Sequence, residues 1–169
     1  MNNKQQDYRV LVISGKGNVG KTSSILIAST LIIDYLKSKY QDFLCDGPHR
    51  YGIKSEDCWL VLKAEGKRIG IISKGDSPRA IEQGLNYVGE CDFYICASHL
   101  YGNTVNCVLN NERFDKESII FINKVGLNGG SVDILSNDYR ELKDSIDKNN
   151  KSFASQIKDL FLKVFLVDE

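Results

Sequence analysis

The residues of this chain best suited to chemistry lie in one short segment, GKGNVGKT, at positions 15–22. Its glycines follow the spacing G-x-G-x-x-G, a fingerprint of dinucleotide-binding folds in which a pyrophosphate approaches the backbone closely. The segment also follows the spacing G-x-x-x-x-G-K-T. In that pattern backbone N–H groups surround phosphates, a lysine reaches the terminal phosphates and a hydroxyl binds magnesium. The segment therefore predicts binding of either a dinucleotide or a nucleoside triphosphate.

The residues that follow the last glycine favour the triphosphate. Lys21 and Thr22 stand where the triphosphate pattern needs an ammonium and a hydroxyl, whereas a dinucleotide site needs neither. A dinucleotide fold instead requires a second strand that ends in an acid about 20 residues beyond the glycines. The segment DFLCDG offers Asp46 there, after a very short apolar run, which matches that pattern poorly. We therefore expect the chain to bind ATP with Mg²⁺, with Lys21 and Thr22 on the phosphates and the metal.

The segment resembles a known family motif. GKGNVGKT is similar to the deviant Walker A motif, K-G-G-x-G-K-[ST], of the chromosome-partitioning and septum-site-determining ATPases, whose wider class includes the dethiobiotin synthetases. The resemblance covers residues 8–33. Asn18 stands where that family has the second glycine of its pair. Lys16 matches the family's signature lysine, which reaches the phosphates of a partner copy. The resemblance therefore implies a catalytic role for Lys16 and a nucleotide-dependent homodimer.

The family also implies further contacts to the nucleotide. An asparagine near the position of Asn123 contacts adenine in these ATPases, whereas the guanine-reading pattern N-K-x-D is broken here by Gly126. The alternative is that Asn123 only ends a strand in polar residues. The predicted nucleotide-binding residues are Gly15, Lys16, Gly17, Asn18, Val19, Gly20, Lys21, Thr22, Ser23 and Asn123.

The acids of the sequence depart from the family pattern. The strand CDFYICAS begins near Asp92 but has Ala97, followed by Ser98, where the family has a second aspartate. Asp76 follows the strand RIGIIS and resembles the family acid that positions the attacking water and the metal. Asp76 or Ser77 can cap the helix that follows, and for Asp76 the two roles are compatible. We predict Lys21, Asp76 and Lys16 as catalytic residues and Thr22 and Asp76 as metal ligands.

Strands and helices alternate along the chain. This order predicts an α/β fold over one domain, residues 1–169: a three-layer sandwich of the P-loop NTPase type. We expect its sheet to be mostly parallel, with one antiparallel strand contributed by a hairpin around Glu65-Gly66-Lys67. Residues 40–56, which contain Asp46-Gly47-Pro48, are predicted to form a loop. The apolar stripe between Phe153 and Phe165 is predicted to pack on the sheet rather than on a membrane.

The overall composition limits the classes of partner and the cellular compartment that we expect for this protein. The chain has 22 basic and 22 acidic residues, so its net charge gives no signal for nucleic acid or an acidic membrane. Its polar first residues lack the apolar core of a signal peptide, and we expect a cytoplasmic protein. Its five cysteines include no C-x-x-C pair, which argues against a zinc site.

These observations predict a small ATPase that binds Mg-ATP and hydrolyses it slowly as a switch. Two alternatives stay open. One is a small-molecule or nucleotide kinase, although such enzymes usually have arginines in a mobile lid and this chain has no arginine cluster. The other is a catalytically weak module that senses the nucleotide, because Ala97 replaces the strand-end acid.

Overall fold

Six strands and four helices make up the fold, in a computed structural model that describes residues 9–126 and 139–165, and only the backbone of residues 139–143. The strands are β1 (Val10–Ser14), β2 (Leu44–Arg50), β3 (Cys58–Ala64), β4 (Lys67–Ile72), β5 (Phe93–Ser98) and β6 (Ile119–Asn123). The helices are α1 (Lys21–Lys39), α2 (Pro78–Val88), α3 (Asn103–Leu109) and α4 (Tyr139–Phe165), and a short 3₁₀ turn spans Lys116–Ser118.

All six strands belong to one mixed sheet with the order β2-β3-β4-β5-β1-β6. The four strands from β4 to β6 in this order run parallel, whereas β3 is antiparallel to β4 and β2 is antiparallel to β3. The prediction of an α/β fold with a mostly parallel sheet is confirmed. The parallel part of the sheet is extended by two antiparallel strands, β2 and β3, instead of the one expected. The hairpin strand β3 is therefore not the edge strand.

The additional strand lies in the segment predicted to be a loop. Residues 44–50 form β2, the outermost strand on this side of the described sheet. The turn-forming residues around Gly47 and Pro48 fall where the pairing with β3 shifts register, between Asp46 and His49. A bulge accommodates residues that cannot continue a regular ladder, and the strand resumes beyond it. The prediction of a loop over 40–56 is therefore wrong for this part.

Alternation along the central strand β1 divides the core between the two faces of the sheet. Leu11 and Ile13 belong to the apolar cluster that contains residues of α1 and α4, whereas Val10 and Val12 belong to the cluster that contains residues of α2 and α3. Both faces are thus covered by helices, which is compatible with a three-layer arrangement. The predicted C-terminal stripe packs as expected, since Ile157 is fully buried in the first cluster. No helix among the described residues is both long and apolar enough to cross a membrane.

The antiparallel hairpin determines what meets at the carboxyl edge of the sheet. β3 and β4 are joined at Glu65 and Gly66, both with positive φ (54° and 70°), as the tight primed turns of hairpins require. Because β3 runs against the parallel strands, its first residue lies at the edge where β4 ends. Cys58 and Ser73 are hydrogen-bonded there in both directions, at 3.0 Å and 2.9 Å. Residues just before β3 therefore lie beside residues that follow the parallel strands.

Candidate functional site

A cleft of about 670 Å³ opens at the carboxyl edge of the sheet. The glycine-rich loop (residues 15–20) and the start of α1 form one wall, the ends of β4 and β5 with the segment before β3 form another, and α4 forms the third. The lining residues are Gly17, Asn18, Val19, Gly20, Lys21, Thr22, Ser23, Glu56, Asp57, Ser73, Gly75, Asp76, His99, Gly126, Ile146, Asn149 and Asn150. Ligands of open α/β sheets bind at this edge.

The start of α1 presents backbone donors to the cleft. Gly20 is the N-cap with φ +85°, and no side chain caps the helix. The first intrahelical bond runs from the Ser24 N–H to the Gly20 carbonyl at 2.9 Å, so the N–H groups of the preceding helical residues have no intrahelical partner. Together with the positive end of the helix dipole, such donors make an anion-binding site. Asn18 has φ +57°, a conformation that asparagine tolerates better than most non-glycine residues.

The Lys21 side chain folds back along the glycine-rich loop. Its Nζ donates to the carbonyl oxygens of Gly15 at 2.9 Å and Lys16 at 2.6 Å. Burial lowers the pKa of Lys21, and the nearby charge of Asp76 partly opposes this shift. The ammonium is thus held at the mouth of the loop with an acid near it, and anionic groups entering the cleft would meet it there.

Thr22 is hydrogen-bonded to Asp57, an acid that was not predicted from the sequence. Its Oγ1 donates to Oδ1 of Asp57 at 2.7 Å, and the Ser73 hydroxyl donates to the same carboxylate oxygen at 3.4 Å. The backbone N–H of Asp57 donates to the Ser55 hydroxyl at 3.2 Å, which fixes the turn before β3. Asp57 is half-buried and lines the cleft. A hydroxyl and a carboxylate, both hard oxygen donors, therefore lie together beside the uncapped helix end.

Asp76 lines the cleft, whereas its neighbours Lys74 and Ser77 contact other groups. The Asp76 side chain is exposed, and its backbone carbonyl is 3.2 Å from Nε2 of the half-buried His99. The cap of α2 is Ser77, whose hydroxyl accepts from the Ala80 N–H at 3.2 Å, so Asp76 does not cap the helix. Lys74 does not line the cleft; its Nζ lies over the Tyr51 ring, 5.2 Å from the centroid.

Helix α4 closes the cleft from the other side. Asn150 is 5% exposed, and a Cβ placed on Gly20 would lie 2.4 Å from its Oδ1. The positive φ therefore favours glycine at position 20, and a larger residue there would also displace the Asn150 side chain. The buried Lys124 donates to Oδ1 of Asn149, and burial lowers its pKa. These contacts place α4 against the glycine-rich loop and against the residue that follows β6, although α4 is far from the loop in the sequence.

The structure brings most of the predicted site residues together and places a few apart. Residues 17–23 and Asp76 line the cleft, while Gly15 and Lys16 contribute carbonyls to Lys21 and the Lys16 side chain is exposed. Asn123, at the end of β6, is exposed and does not line the cleft; Gly126, three residues on, does.

Strand β5 was expected to carry acids at its two ends. The residues there, Asp92 and Ser98, have other roles. Asp92 accepts from the Arg68 N–H at 2.7 Å and joins the starts of β4 and β5, away from the cleft. Ser98, at the end of β5, is fully buried, and its hydroxyl donates to the His99 carbonyl at 2.8 Å. No carboxylate therefore occupies the end of β5.

Comparison of this chain with protein-family models, curated proteins and solved structures found no match.

Proposed function

We propose that this protein binds a nucleoside triphosphate together with magnesium at the glycine-rich loop, that the nucleotide is ATP, and that the protein hydrolyses it slowly as a switch. The observation that carries the proposal is the meeting of three groups at one cleft: the uncapped N-terminus of α1, the Lys21 ammonium and the Thr22 hydroxyl. Helix N–H groups and a lysine bind phosphate oxygens, and a threonine hydroxyl is a magnesium ligand in such loops. Bound magnesium would offset phosphate charge.

The strand order argues against the dinucleotide alternative. In a dinucleotide fold the strand after the first helix lies beside β1, so that its terminal acid reaches the ribose. Here the strand after α1 is β2, at the far side of the sheet, and the neighbours of β1 are β5 and β6. Asp46, the acid that the sequence analysis considered for the ribose, is instead 2.6 Å from Nε2 of His49 on that edge strand.

The acids of the cleft support slow rather than fast hydrolysis. Asp76 is exposed in the cleft and interacts with the charge of Lys21, a position from which it can orient water beside the terminal phosphate. The end of β5, where related phosphate-binding enzymes carry an acid, has none here. If Ala97→Asp raised turnover, the chain would be better described as a nucleotide sensor that lost an acid.

The kinase alternative needs a second substrate in the same cleft. His99 and Glu56 also line the cleft and could contact an acceptor. Arginine is absent from the described lining residues, whereas kinases usually stabilise the transferred phosphoryl group with several cations. Hydrolysis is therefore our first choice. Recovery of labelled phosphate on an added acceptor rather than in water would reverse it.

The proposed homodimer depends on Lys16. Its side chain is exposed, next to Gly17 of the cleft lining, while its carbonyl accepts from Lys21. A second copy facing the cleft would bring another Lys16 close to the phosphates, as the resemblance implies. Sedimentation with and without Mg-ATP tests this, and a monomer under both conditions would remove Lys16 from the proposed catalytic residues.

Calorimetric titration tests the proposed ligand. ATP, GTP and NADH are each titrated with magnesium into the wild type, Lys21→Ala and Lys37→Ala. Lys37, an exposed lysine in the last turn of α1, gives the same charge change away from the cleft. We expect ATP to bind the wild type and the Lys37 variant, and Lys21→Ala to weaken binding by about 10-fold or more, since a hydrogen bond to a charged group is lost. Binding of NADH alone, or of no nucleotide, would overturn the proposal.

A further inference from the structure

The end of β5 leaves the proposed magnesium site without the acid expected of a parallel strand. Ala97 and Ser98 are both buried, and the Ser98 hydroxyl is already donated to a backbone carbonyl. Among the described residues, no three His, Cys, Asp or Glu side chains come together as a metal site of their own. A magnesium ion here would therefore need phosphate oxygens and whatever oxygen ligand the cleft places beside Thr22, as magnesium sites usually do.

We propose that Asp57, which comes from the antiparallel hairpin rather than from a parallel strand, takes the place of the missing acid and positions the magnesium of the bound nucleotide together with Thr22. This inference rests on the proposed function. Its geometric basis is the 2.7 Å hydrogen bond from Thr22 Oγ1 to Asp57 Oδ1. The antiparallel direction of β3 brings the residue before it to the edge where the parallel strands end.

The direction of this hydrogen bond suits metal binding. A hydroxyl has one proton and two lone pairs, so donation of the Thr22 proton to Asp57 leaves the lone pairs of Oγ1 for a cation. The carboxylate also supplies the negative charge that a divalent ion requires. Its position is fixed by Ser73, whose hydroxyl is 3.4 Å from the same oxygen, and by the Ser55 hydroxyl, which accepts the Asp57 N–H.

The second acid of the cleft has a different neighbour. Asp76 interacts with the charge of Lys21, and its backbone carbonyl is 3.2 Å from the His99 ring. The described hydrogen bonds of Thr22 go to Asp57 and not to Asp76. The two acids therefore divide the roles that the sequence analysis gave to Asp76 alone: Asp57 acts on the magnesium side through Thr22, and Asp76 acts on the Lys21 side.

The test compares nucleotide affinity with excess magnesium and with EDTA. Calorimetry gives the magnesium gain, the ratio of the two affinities for ATP, for the wild type, Asp57→Asn and Asp76→Asn. Asp34→Asn is the control, because Asp34 is exposed on α1, the helix that carries Thr22, and lies outside the cleft. Electron paramagnetic resonance of Mn²⁺ added with ATP measures metal binding independently of any activity.

We expect Asp57→Asn to lower the magnesium gain by about 10-fold or more while affinity in EDTA is unchanged or higher, because the Thr22 hydroxyl loses its carboxylate acceptor and one negative charge beside the metal is removed. Mn²⁺ binding should weaken in parallel, and Asp34→Asn should match the wild type. If Asp57→Asn does not fold, the same titrations on Asp57→Glu apply, since moving the carboxylate away from Thr22 should also lower the gain.

Two results would overturn the inference in different ways. A full magnesium gain in the Asp57 variant, with loss of the gain in Asp76→Asn, would assign the metal to Asp76 and leave the proposed function standing. Absence of ATP binding to the wild type under both conditions would overturn the proposed function and this inference with it.

Discussion

Gly75 is a residue of the cleft at which an added methyl group should lower the free energy of unfolding strongly. It connects β4 to α2 and lines the cleft beside Asp76. A Cβ placed on it would lie 2.0 Å from the Ala97 carbonyl oxygen, 2.2 Å from that carbonyl carbon and 2.8 Å from the Ser98 nitrogen. All three are backbone atoms of β5, so no side chain can rotate to make room.

The size of the expected effect follows from these distances. Ordinary contacts of a Cβ begin at 3.4 Å, so the connection at Gly75 and the end of β5 would have to separate by about 1.4 Å. Overpacking of a well-packed interior costs about 1–3 kcal/mol and occasionally more. Because backbone must move here, we expect Gly75→Ala to lower the free energy of unfolding by about 3 kcal/mol. For a chain of this length that is a fall in Tm of roughly 6–12 °C.

Thermal and urea unfolding of Gly75→Ala and Gly52→Ala measure this effect. A Cβ on Gly52 would meet nothing within 4 Å, and this glycine has no positive φ. We expect Gly52→Ala to change the free energy of unfolding by no more than about 1 kcal/mol, and in the stabilising direction if at all. If Gly75→Ala were as stable as the wild type to within about 0.5 kcal/mol, the close approach of Gly75 to β5 described above would be wrong.

Two further predictions concern the start of α2 and the charge of Lys21. Ser77→Ala removes the cap that accepts from the Ala80 N–H, and unfolding should become easier by about 1 kcal/mol, a fall in Tm of roughly 2–4 °C. The affinity for ATP should fall as the pH rises. This fall should begin at a lower pH than the deprotonation of an ordinary lysine. The reason is that burial lowers the pKa of Lys21 and the neutral amine no longer attracts phosphate. Over the same pH range, from the lowered folded pKa up to the unfolded value, stability should rise relative to Lys21→Met, because deprotonation removes the cost of the buried charge.

Each of these predictions has its own control. Ser38 donates to the Tyr35 carbonyl on the exposed side of α1 and caps nothing, so Ser38→Ala should leave Tm nearly unchanged. An equal loss in both serine variants would count against the cap. For Lys21, calorimetry across the alkaline range on the wild type and on Lys37→Ala should give the same pH dependence. An affinity that stays constant until ordinary lysines deprotonate would contradict the lowered pKa.

The local part of the site could be predicted from the sequence because its signals are local. The strand, glycine-rich loop and helix around Lys21 follow one another without interruption, and Glu65-Gly66 marks the hairpin by turn chemistry alone. The fate of Gly47 and Pro48 could not be predicted in this way. Residues typical of a turn are also typical of a bulge, and only the pairing with β3 distinguishes the two.

The acids show what local patterns leave out. Asp57 belongs to no motif, but the hairpin prediction contained the signal for it: a residue before the first strand of a hairpin lies beside the residues after the second. Asn150, by contrast, reaches the cleft because α4 packs on α1. Packing between elements so far apart in sequence leaves no pattern in one chain.

The position of β1 in the sheet has a consequence for the order in which the molecule can be assembled during translation. Val10 pairs with Tyr94 on one side and with Ile119 on the other. At a synthesis rate of about 5–20 residues per second, β1 waits roughly 5–20 s before both neighbours have been made. Until β5 has been made, the apolar residues of β1 have neither of their neighbouring strands. The nucleotide site therefore forms late although its motif is translated early, and ATP can favour only the last steps of folding.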